Sequence, residues 1–222
     1  METSNLVKEH TPTPAGMVFY DSFESVKHDV NLLGYVSVIE RAWREIKLDG
    51  VLCLDNRPVL YLKEYSRPFT LSERIFFQRL FWNQGVANIL VLADPTSVYI
   101  YSGLAKPQKE RSDKERRENA LVETLTLADY VQRIQSFYYE LATGRYYEVN
   151  RKHFDPDQSV DSWLLNNLRA LRNVLIQGND KLLPQDAHAF IGRVLFLCYL
   201  LDRGIVSIEK PGRGRTGTML LA

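Results

Sequence analysis

Between Asp49 and Gly103 the hydrophobic period changes from two to about 3.6 and back, and this alternation constrains the fold more than anything else in the chain. "DGVLCLDNRPVLYLKEY" (Asp49 to Tyr65) holds two runs rich in Val, Leu and Tyr around Asp55-Asn56-Arg57-Pro58. Asp and Asn at a turn with Pro at its exit form a hairpin signal. "TLSERIFFQRLFWNQG" (Thr70 to Gly85) is helical, with Ser72 as the candidate N-cap and Gly85 where a left-handed C-terminal cap belongs. "NILVLADPTSVYIYSG" (Asn88 to Gly103) is a second hairpin turning at Asp94-Pro95-Thr96-Ser97. Its first arm, Ile89 to Leu92, is continuously apolar, as expected of a strand covered on both faces. Upstream, Leu33, Val36, Ile39, Ala42, Trp43 and Ile46 recur at helical spacing. The order α-β-β-α-β-β predicts an α+β fold, a small mixed sheet with flanking helices, over residues 30–105.

Residues 1–29 read as an N-terminal leader, because the first sixteen are polar and proline-bearing, with neither the basic start nor the apolar run of a signal peptide. Residues 106–126 read as a charged loop. "KPQKERSDKERRE" (Lys106 to Glu118) has six basic and four acidic residues, net +2, and no apolar face. Residues 127–206 form a helical connector, with helical patterns over Leu127 to Thr143, Val160 to Gln177 and Gln185 to Arg203 and a linker between the first two. Residues 207–222 read as a basic flexible tail. Cys53 and Cys198 stand alone in apolar runs, which fits buried thiols in a reducing compartment. No stretch reaches the ~18 consecutive apolar residues of a membrane span, so a cytoplasmic location without a membrane partner is expected.

Motifs that would assign chemistry outright are scarce. The four histidines lack ligand spacing, so no zinc site is expected. The tail spells G-x-G-x-x-G from Gly212 to Gly217, but only five residues follow, too few for the helix that would hold a dinucleotide's phosphates. No P-loop or G-x-S-x-G occurs. The formal charge of +1 gives no global footprint for nucleic acid, so such contact must come from local patches. A PD-(D/E)xK nuclease needs two carboxylates to hold a divalent cation against a phosphodiester and a lysine near the attacking water. Glu40 and Glu45 on the first helix, Asp49, Asp55, Lys63 and Glu64 are the candidates. The (D/E)-x-K slot, however, reads Tyr61-Leu62-Lys63, and Glu64 belongs on the opposite strand face from Lys63. The expected core is therefore a degenerate version of that nuclease, with Mg2+ required only if it is active.

Two stretches carry a resemblance. "RIFFQRLFWNQGVANILVLADPTSVYIYSGLAKP" (Arg74 to Pro107) resembles the N-terminal region of type IIG restriction-modification methylases, where a helix ending in a W-N-Q-G-like turn leads into a strand pair closing on Y-S-G. "HAFIGRVLFLCYLLDRGIV" (His188 to Val206) is similar to the helix, often written G-R-L-L-F-x-x-F-L-x-x-R-G-I, that precedes their N6-adenine methyltransferase domain. The resemblance spans about residues 30–206 and rests on structural rather than catalytic motifs. It implies an N-terminal nuclease-like module, a helical connector and a transferase domain that uses S-adenosylmethionine and an N-P-P-Y-type tetrapeptide. Neither signature of that transferase occurs in the 222 residues, so no cofactor is expected in this chain. The chain thus reads as the front part of such a protein. The apolar helix, with Leu195, Phe196, Leu200 and Leu201, is expected to seat against the missing methyltransferase domain, or in a homodimer that hides it. A self-contained protein whose last helix completes a helical subdomain is the other possibility.

The function expected is a DNA-directed, non-catalytic module of a restriction-modification or phage-defence methyltransferase. Its partner would be duplex DNA in the full-length context, met at the phosphates by Lys106, Lys109, Arg111, Arg116 and Arg117. The alternatives are a metal-dependent endonuclease built on Asp49, Asp55, Lys63 and Glu64, and a protein-interaction module without nucleic-acid contact.

Overall fold

The computed structural model describes residues 14–107, 119–177, 181–202 and 205–206. It divides into two units, Met1–Trp163 and Leu164–Ala222. The first is built on a six-stranded mixed sheet in the order β1 (Met17–Tyr20), β2 (Gly50–Leu54), β3 (Arg57–Glu64), β4 (Ile89–Ala93), β5 (Ser97–Ser102) and β6 (Leu121–Thr126). Every neighbouring pair is antiparallel except β3 and β4, which run parallel. A parallel pair needs a crossover, and α3 (Leu71–Gln84) provides it.

The β2–β3 connection is a two-residue turn. Asp55 (φ 47°) and Asn56 (φ 63°) both adopt the left-handed region that a type I′ turn requires, and Asp and Asn adopt it more readily than other non-glycine residues. Just beyond it the ladder slips: Cys53 pairs with Pro58 but Leu52 pairs with Leu60, leaving Val59 as an extra residue. A bulge there tolerates Pro58, which has no N–H to give the ladder.

Alternate strand residues feed two cores. Val51, Cys53, Tyr61, Leu90 and Leu92 pack with α1 (Phe23–His28), α2 (Val36–Ile46) and α3 on one face. Leu52, Leu60, Leu62, Ile89 and Val91 pack with α4 (Leu127–Ala142) and α5 (Arg145–Val149) on the other. All of β4 is buried, as a central strand covered on both sides must be. α3 starts in a capping box: Thr70 Oγ1 accepts from Glu73 N, and the Glu73 carboxylate accepts from Thr70 N. The cap is thus Thr70, not Ser72. The helix ends at Gly85 (φ 64°), as its sequence predicts.

Three segments differ from their sequence reading. Residues 17–28, placed within the leader, form β1 and α1, with Met17, Tyr20 and Val26 buried. Residues 121–126, placed in the charged loop, form edge strand β6 on β5. The segment between α4 and α6 (Val160–Gln177), read as linker, buries Tyr146 and Phe154 in the second core, and its α5 continues the layer begun by α4. The sheet unit therefore runs on through residue 163, well beyond 105. The tail over 207–222 lies outside the described residues.

The second unit holds the rest of α6 and α7 (Pro184–Asp202). α6 buries no residue and α7 buries only Ala187 among its described side chains. Arg172 Nε donates to His188 Nε2 (2.7 Å), tying the two helices. Among the described residues no helix is long and apolar enough to cross a membrane.

Candidate functional site

The carboxyl ends of the parallel strands β3 and β4 bring together Asp49, Lys63 and the Tyr65–Phe69 ring pair, with Asp94 at the end of β4. Asp49 directly precedes β2, and its N–H donates to Leu62 O (2.9 Å), extending the β2–β3 ladder by one step. Its carboxylate then caps the ladder: one oxygen accepts from both Lys63 Nζ (2.7 Å) and Glu64 N (2.7 Å). Lys63 is buried, with a side chain only 10% exposed against 40% for Asp49. A buried ammonium demands a partner, and Asp49 is that partner.

The bulge decides this meeting. Counting back from the turn without it would set Leu48 opposite Lys63; the extra Val59 advances the register and brings Asp49 there.

Tyr65 extends the site. Its ring stacks on Phe69 (centroids 4.4 Å apart, 13° between planes), with Lys63 Nζ at 5.5 Å and the Arg67 guanidinium at 5.0 Å from its centroid. Arg74 lies 4.1 Å from the neighbouring Tyr99 ring. Arg67 also grips Glu73 with both arms of its fork. This fork, with the Thr70 backbone and hydroxyl, holds the Glu73 carboxyl down at about 2.

Asp94, at the end of β4, is fully buried and accepts from Phe69 N (3.0 Å), Thr96 N (2.9 Å), Thr96 Oγ1 (2.8 Å) and Ser97 N (2.9 Å). Burial alone would raise its pKa, but these donors outweigh it and leave the carboxyl below its ordinary range. Its lone pairs organise the β4–β5 turn and dock the α3 approach.

The four sequence candidates for metal chemistry do not converge. Asp49 and Lys63 meet. Asp55 lies in the turn at the far end of β2, six residues or roughly 20 Å along an extended chain. Glu64 lies on the opposite face, where Tyr130 of α4 is kept un-ionised chiefly by burial, with Tyr138 and Glu64 adding to it. Glu45 is held by Arg41 (3.0 Å) and by Gln84 of α3 (2.8 Å), and Glu40 is exposed on α2. Among the described residues no three His, Cys, Asp or Glu side chains gather where a metal ion could be held. Tyr61, in the slot where D/E-x-K chemistry wants a carboxylate, is fully buried against Phe81, and its hydroxyl has no hydrogen-bond partner among the described residues.

At the other end of β4 lies a second feature. Trp82 Nε1 donates to Gln158 O (3.3 Å), Trp82 meets Trp163 edge-on at 6.1 Å, and Lys106 Nζ lies 5.0 Å from the Trp163 ring centroid. Beside them is a cavity of about 170 Å³ lined by Gly85, Asn88, Gly103 and the start of α6. Of the expected phosphate contacts only Lys106 is described, exposed and over an aromatic ring. Lys109, Arg111, Arg116 and Arg117 lie outside the described residues.

Sequence reasoning missed Tyr65, Arg67 and Glu73, and placed Asp94 in its turn without its buried capping role. Two signals were available: T-x-x-E at Thr70–Glu73 is a capping-box pattern, and Asp94-Pro-Thr-Ser is a side-chain-capped turn. Comparisons with protein-family models, curated proteins and solved structures give no match for this chain.

Proposed function

We propose that this chain is a DNA-directed module of the kind found at the front of type IIG-like restriction-modification adenine methyltransferases, built on a nuclease-like core without catalysis of its own. One arrangement carries the reading. A β2–β3 hairpin crosses through α3 into parallel β4, and Lys63 stands at the end of β3 beside a single carboxylate, Asp49. We read this as the remnant of a D/E-x-K nuclease centre that lacks its second acid. Asp49 is already committed to Lys63 and to the Glu64 N–H, and Tyr61 occupies the remaining slot. A divalent cation needs several oxygen ligands at ~2 Å, which one engaged carboxylate does not supply. In the full-length context the module would meet duplex phosphates through Lys106 and the basic residues that follow it, and position a transferase that supplies S-adenosylmethionine chemistry.

Duplex DNA binding measured against ionic strength tests this. Affinity is expected to fall at least about tenfold between about 50 and about 200 mM salt, as counterions released at the phosphates require. Lys106→Ala combined with Lys109→Ala and Arg111→Ala should flatten that slope. No binding at low salt would replace the reading with a protein-interaction module. Mg2+-dependent cleavage abolished by Asp49→Asn would replace it with the endonuclease.

A further inference from the structure

We draw no further inference here: the strongest candidate, the cavity of about 170 Å³ between the end of α3, the end of β5 and the start of α6, selects no ligand chemistry, because the Asn88 side chain in its wall is already hydrogen-bonded to Tyr147 and its charged wall residue, Asp161, is exposed.

Discussion

The sheet unit and the α6–α7 unit spend similar apolar material in opposite ways. In the first, each central strand is sandwiched between helices, and side chains such as Ile89, Leu90, Val91 and Leu92 are wholly removed from water. In the second, a richer apolar run buries only Ala187 among the described residues. Composition does not separate the two; layering does. A sheet offers two faces, and here the chain provides helices for both, whereas two helices alone cannot enclose each other. The same kind of residue is therefore enclosed in one unit and left exposed in the other.

The sharpest way to break this contrast is to delete equal rings from the two units. Phe81, 1% exposed and edge-on to Tyr61, and Phe196, 62% exposed, make a matched pair. Phe81→Ala should lower unfolding stability by about 3–5 kcal/mol, while Phe196→Ala in dilute monomer should stay within about 0.5 kcal/mol. Urea unfolding of each variant measures both. Equal losses would erase the distinction between the units.

The next largest effect separates core chemistry from core packing. Asp49→Ala leaves Lys63 buried without its partner and the Glu64 N–H unsatisfied. It should cost about 2 kcal/mol, less than a fully buried pair because Asp49 is 40% exposed. Lys63→Met added to Asp49→Ala should recover part of that loss, a coupling that a double-mutant cycle reads directly. Additive losses would mean that the pair does not act as one unit. The smallest change goes the other way. Tyr61→Phe removes a buried hydroxyl that has no partner among the described residues, so stability should hold or rise by about 1 kcal/mol, observed as a higher Tm. A clear loss would reveal a hydrogen bond at that hydroxyl.

What the sequence made legible follows the same division. Long, centrally placed elements announced themselves: the continuous run of β4, the Gly85 stop of α3, the three later helices and the stripe of α2 from Val36 onward lie where periodicity puts them, although Leu33, counted in that stripe, precedes the helix and is exposed. Short edge elements did not. β1 is four residues long, and β6 sits beside a dense run of charges, so neither window holds enough alternation to stand out. α5 and Phe154 lay in a stretch that reads as linker because its two core aromatics are separated by Arg, Lys and His. At the site, residue identity was visible but adjacency was not. Asp49 and Lys63 were both suspected, and Glu64 was assigned to the opposite face by simple alternation. That Asp49 and Lys63 meet depends on a register slip between Leu52 and Cys53 that no pattern of hydrophobicity encodes.

The unpaired Val59 makes the hairpin behave like a vernier scale. Removing one residue near its tip would slide one strand past the other, and a different amino acid would come to lie beside Lys63 about 15 Å away. Insertions and deletions at such a tip are a route by which descendants of one ancestral hairpin acquire or lose an ion pair at its base while every residue of that base is inherited unchanged.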